Sequence, residues 1–252
     1  MPLTPPLLTP ADLARLAADR AWVGDGSALD AGQVAELAAR WEPVVRPAEK
    51  EQERFDLVDA QGEPTGVTAP RWLCHLMGLC HRTVHLALRT PQGLLALQVR
   101  GLHVRQHPGA LDLAVTGHVR AGLTWDQALR QEAAEELGLD VDPQAGQVAP
   151  PGPQPVARYC RRETDRENPP EHVCHVTQLY AAQLTAHGLA TLRFADGEVA
   201  GLYLCAPAEA ARLVAEEPAR VAPGLAQSLP YYLAHRGIGD GSPSAAAGVD
   251  RP

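Results

Sequence analysis

The chain carries no excess of basic residues, no long apolar run and few aromatics. Lys and Arg total 22 against 30 Asp and Glu, a formal net charge of −8. A general nucleic-acid binder normally shows a basic footprint, so that class is excluded. No apolar stretch is long enough to span a bilayer, and MPLTPPLLTPADL lacks the positive n-region of a secretory leader. Five cysteines form no compact framework, which suggests reduced thiols and a cytoplasmic setting. The scarcity of Lys, Phe and Ile beside abundant Ala, Leu, Pro and Arg reads as genome bias and carries no function.

What is present is 252 residues, enough to bury a substantial core in one domain with an appendage. Residues 1–50 read as a helical extension. Thr9-Pro10 opens a helix over Ala11–Trp22, because proline suits the first turn. A second amphipathic stretch covers Leu29–Trp41, and Trp22 and Trp41 are expected to pack these helices together or on the main domain. A substrate-gating role or a homodimer contact is the alternative. Pro43, Pro47 and Glu49–Arg54 read as a linker, residues 51–238 as the main domain, and 239–252 as a disordered tail by composition.

Within the main domain, FDLVDAQGEPTG reads as strand, turn and return. Pro70–Leu79 is a short helix. His81–Thr90 and Leu94–Arg100 flank a Pro-Gln-Gly turn as a hairpin, and Leu111–Val115 is a further strand. Val156–Arg161, His172–Gln183 and Val199–Cys205 add strands, with Arg162–Pro170 as a charged loop. Pro207–Glu216 and Leu225–His235 are helical, the latter with an internal Pro230. Strands interleaved with helices predict an α/β fold, a mixed sheet sandwiched between helices.

The organising stretch is GHVRAGLTWDQALRQEAAEELGL, Gly117–Leu139. Thr124 and Gln127 form a capping box, so a helix starts at Trp125. Leu129, Ala133 and Leu137 make its apolar stripe, and Gly138 ends it. Glu132, Glu135 and Glu136 fall on one face, a repulsive arrangement unless a cation sits among them. Hard cations such as Mg²⁺ take oxygen ligands of this kind. A solvated acidic face is the bland alternative.

This stretch resembles the box of the Nudix hydrolase family, G-x5-E-x7-R-E-U-x-E-E-x-G-U. Gly117, Glu132, Glu135, Glu136, Gly138 and Leu139 match in register. Leu123 replaces the first glutamate and Gln131 the arginine. The resemblance implies a Nudix α/β/α sandwich and a Mg²⁺- or Mn²⁺-dependent diphosphate hydrolase. The metal ligands would be Glu132, Glu135, Glu136 and the Gly117 carbonyl. The base would be Glu198, in DGEV before a strand, or else Glu136; Glu171 is a weaker choice. A solvated turn carboxylate is the plain reading of Glu198. Arg100 and His118 would contact substrate, a small diphosphate compound, with no nucleic acid or membrane partner. Nucleoside diphosphate derivatives, coenzymes and thiamine-type compounds stay open as substrates.

The opening of the domain and the histidine-led strand are also similar to the isopentenyl diphosphate isomerase branch, which implies a second metal cluster at His75, His81 and His118. The isomerase cysteine would fall at Thr116, which has no thiol. A binding module without turnover is the remaining alternative, raised by Leu123 and Gln131. Cys74-His75, Cys80-His81, Cys160 and Cys174-His175 miss zinc-ligand spacing, so buried, hydrophobe-like cysteines are the expectation.

Overall fold

The structure is a computed structural model that describes residues 7–165, 168–195 and 197–235. The proposed tail, 239–252, lies outside those residues, as does Asp196 of the turn before Val199.

Two sheets result. Strands β1 (Arg54–Val58) and β2 (Pro64–Pro70) form an antiparallel ribbon. Strands β3 (His81–Arg89), β4 (Leu95–Arg100), β5 (Leu111–Leu113), β6 (Val115–His118), β7 (Gln154–Asp165), β8 (Glu171–Gln183) and β9 (Val199–Cys205) form the main sheet. Its path is β5-β4-β3-β8-β7, with β6 also on β3 and β9 on β4. The sheet is mixed: β3 and β8 run parallel, from His81 opposite His175 to Arg89 opposite Gln183. β7 continues through Asp165, so residues 162–165, expected in a loop, pair with Cys174–Glu171.

Strand alternation assigns the two faces. Val84, Leu86 and Leu88 of β3 pack with helix α4 (Trp125–Leu137) through Leu129, Ala133 and Leu137. Burying each of those leucines is worth about 1.5–3 kcal/mol. Ala87, with Leu95, Leu97 and Leu179, packs on the opposite face against α6 (Pro207–Glu216) and α7 (Pro223–Ala234) through Leu213, Leu225 and Leu229. The result is an α/β/α sandwich. A short helix α5 (Ala186–Thr191), capped by Thr185, had no clear sequence signal.

The N-terminal helices α1 (Pro10–Val23) and α2 (Ala31–Val45) share a core with the ribbon and helix α3 (Arg71–Met77). Trp41 is fully buried, and its indole N–H donates to the buried Asp19 carboxylate at 2.8 Å. Trp22, expected to pack beside it, is 56% exposed. α2 also runs past Pro43 to Val45, so Pro43 belongs to a helix and not to a linker. Among the described residues, no helix is long and apolar enough to cross a membrane.

Candidate active site

The first wall of the site comes from α4. Thr124 accepts from the Gln127 N–H at 3.3 Å, and the Gln127 side chain accepts from the Thr124 N–H at 2.9 Å, which fixes where the helix begins. Its apolar stripe is locked in the core, so the adjacent arc turns toward a cleft of about 730 Å³. Glu132, Glu135 and Glu136 all line that cleft, with Gly117, His118, Arg100 and Glu198. The residues singled out in the sequence therefore converge on one cavity.

The glutamates are held unequally. Glu136 is buried; its carboxylate accepts from the Thr116 backbone N–H at 3.3 Å and the Gln98 amide at 3.5 Å. Burial, then the Glu132 charge, pushes its pKa well above the usual carboxylate range. Glu132 is raised to about 8, by burial first and the Glu135 charge second. Two carboxylates so disfavoured in their charged form suit a cation, which would restore both charges. Glu135 is exposed and takes a 2.7 Å hydrogen bond from the Gln131 amide. Gln131 thus orients Glu135, one turn on, and not its neighbour Glu132. The cationic partner comes from Arg120, which pairs with Glu53 and lies 3.6 Å from Glu135.

Glu198 reaches the cleft because Gly101 lets its loop close on the end of β4. The Gly101 N–H donates to the Glu198 carbonyl at 2.7 Å, and a Cβ at residue 101 would stand 2.1 Å from the Gly197 oxygen. Arg100 donates to the Gln106 carbonyl at 3.1 Å and lies 3.9 Å from Asp112. Arg71 and Arg161 add two more guanidinium groups to the lining.

The second wall is imidazole. His75, His81, His118 and His175 each bring a ring nitrogen within 4.8 Å of the others. The Nε2 of each is buried with no hydrogen-bond partner. Nδ1 of His81 faces the Leu79 carbonyl at 2.8 Å, and Nδ1 of His75 faces Glu171 at 3.2 Å. Both contacts place the proton on Nδ1 and leave the Nε2 lone pair pointing inward, the tautomer that a metal ligand needs. Burial lowers all four pKa values, that of His81 to about 4, so the rings are neutral. Phe55 stacks on His81 and His118, with centroids 4.9 Å away, and supports the cluster from the ribbon. This donor set fits a borderline transition ion better than magnesium.

The cluster contains the three histidines grouped from the sequence and adds His175. His118 belongs among these imidazoles. Glu171 touches His75 and Gln106. Phe55 and Arg120 were missed because nothing local marks a strand-edge phenylalanine or a turn arginine as part of a site.

The chain is similar to several known proteins. Residues 80–230 match the family model of the NUDIX domain. Nudix hydrolase 3 of Arabidopsis thaliana is 40% identical over 90 residues, 35% of this chain and 12% of that protein. A Nudix hydrolase of Deinococcus radiodurans is 37% identical over 95 residues, 36% of this chain and 52% of that protein. The chain therefore spans about half or less of the length of these curated relatives. The isopentenyl-diphosphate Delta-isomerase of Escherichia coli is 29% identical over 167 residues, 66% of this chain and 84% of that enzyme. The crystal structure of DR0079 from Deinococcus radiodurans superposes with a TM-score of 0.53 at 25% identity, covering 71% of this chain and 98% of that one. With the glutamate helix in register and the family model spanning most of the sheet, this chain belongs to the Nudix family.

Proposed function

We propose that the chain is a metal-dependent hydrolase of a diphosphate linkage. The observation that carries this reading is the convergence of Glu132, Glu135, Glu136 and Glu198 on one cleft that also holds guanidinium groups. Glu132, Glu135, Glu136 and the Gly117 carbonyl would hold Mg²⁺ or Mn²⁺, which favour oxygen ligands. Such a cation, when bound, neutralises diphosphate oxygens and lowers the pKa of an attacking water.

The chain's own residues supply the rest. Arg71, Arg100 and Arg161 line the cleft and can pair with phosphate oxygens bidentately. Glu198 lines the same cleft, and one of its carboxylate oxygens would take the proton of the water that attacks phosphorus. Glu136 is the second choice for that role, because its carboxylate already holds hydrogen bonds from Thr116 and Gln98. A nucleoside diphosphate derivative, a coenzyme or a thiamine-type compound would each present the diphosphate. A cleft of about 730 Å³ has room for the attached group.

The histidine cluster favours a second reading, a prenyl diphosphate isomerase, given the similarity to the Escherichia coli isomerase. Thr116 opposes it: a hydroxyl stands where that reading needs a thiol. The test is a screen of diphosphate compounds with Mg²⁺ or Mn²⁺, with isopentenyl diphosphate as one arm. Cleavage of the diphosphate linkage supports the hydrolase. Interconversion without phosphate release supports the isomerase, and binding without turnover makes the chain a ligand-binding module.

A further inference from the structure

On the opposite face of the same two strands the chain carries a second cluster, one of sulfur. Cys80 precedes His81 and Cys174 precedes His175, and the two histidines are register partners across the parallel β3–β8 pair. Neighbouring residues of a strand point to opposite faces. Histidines that face the imidazole cluster therefore send the two cysteines to the reverse side, where they sit with Val58, Val176 and Trp125. From β7, Cys160 lies opposite Val176 and Arg162 opposite Cys174, on that same reverse face. The three sulfurs all lie within 4.8 Å of one another. They come from three chain segments, so no local sequence spacing announces them.

Burial as small hydrophobes accounts for Cys74 and Cys205, but it does not account for three thiols meeting at one point. Arg162, the register partner of Cys174, donates to Asp25 at 3.1 Å. Three thiolates around a divalent cation carry one residual negative charge, and a guanidinium alongside offsets it. Cys80 and Cys174 are buried while Cys160 is exposed, which gives the cation a route in.

We propose that Cys80, Cys160 and Cys174 form a thiolate site for a zinc-class divalent cation, back to back with the histidine cluster. Each sulfur gives its proton to solvent and takes a bond to the cation, with water in the fourth position of the tetrahedron. The bound ion ties β3, β7 and β8 together at the end where His81 and His175 are presented. The site stands independently of the hydrolase reading, because its ligands lie outside the cleft.

Cadmium reports thiolate ligation directly, through a sulfur-to-metal charge-transfer band in the ultraviolet that imidazole and carboxylate do not give. The full-length reduced chain, titrated with Cd²⁺, is expected to develop that band up to one equivalent. Cys160→Ser alters an exposed position and should leave the fold intact by circular dichroism. It should nevertheless weaken cadmium binding at least about a hundredfold. Cys74→Ala and Cys205→Ala should leave the band unchanged. No band within the first equivalent, or an undiminished band and affinity in a folded Cys160→Ser chain, would overturn the proposal.

Discussion

Gly117 and Glu132 touch: a Cβ added at residue 117 would stand 2.2 Å from the Glu132 carboxyl carbon. The Glu132 carboxylate therefore occupies space that a side chain at residue 117 would fill. Gly117→Ala is expected to push the Glu132 carboxylate out of place while the core contacts of Leu129 and Leu137 persist. Diphosphate cleavage should drop by about a hundredfold or more, equivalent to ~2.7 kcal/mol of barrier. The check is kcat/KM beside a thermal melt, and the melt should move far less than the rate.

Gln131 donates to Glu135 across one helical turn at 2.7 Å. Gln131→Arg would replace a donor amide without charge by a guanidinium, which can pair with the carboxylate bidentately. Activity should be kept or raised, by up to about tenfold, or ~1.4 kcal/mol. A steady-state rate measured against metal concentration tests this. A large loss would mean that the glutamine has a positioning role of its own.

Asp112 titrates in a way that stability can report. It is buried on β5, and burial, against the nearby Arg100 charge, raises its pKa to about 6. The folded chain thus holds this proton more tightly than the unfolded chain, so the carboxyl's contribution falls as pH rises from about 4 to 6. Asp112→Asn should equal the wild type in stability below that window and exceed it above, by up to about 3 kcal/mol. Denaturant melts at several pH values give the difference curve, which should rise through the window and then level off.

Trp41 anchors the N-terminal helices to the ribbon that carries Phe55. Trp41→Ala leaves a cavity and a buried Asp19 with one partner fewer, so a loss of about 3–5 kcal/mol is expected. Phe55 stacks on His81 and His118, so damage to this core should also disturb the imidazole cluster. Histidine ring resonances in an NMR spectrum would reveal that change.

The glutamate helix was legible in the sequence because every cue is local. Its cap, apolar stripe, terminal glycine and carboxylates lie within one stretch of chain. The strands were legible for a similar reason, since alternation and turn residues are short-range signals. The fourth histidine and the three-sulfur cluster were not. Both depend on β8 running parallel to β3, a pairing between segments more than ninety residues apart in the Thr83–Thr177 contact. Trp22 misled because an aromatic on an amphipathic helix reads as core, yet here it falls on the solvent side of α1. Pro43 misled because proline signals a break, while α2 carries it inside its last turn.

The central claim is that the glutamates on α4 hold the cation for diphosphate cleavage. Phosphate or nucleotide release, followed against Mg²⁺ and Mn²⁺ concentration for the wild type, Glu135→Gln and Glu136→Gln, tests it most directly. Each substitution removes one charge and keeps the side chain's shape. The account predicts metal-dependent release by the wild type and none by either variant, with both variants folded. Unchanged release by Glu135→Gln and Glu136→Gln would contradict it and place the chemistry elsewhere in the cleft.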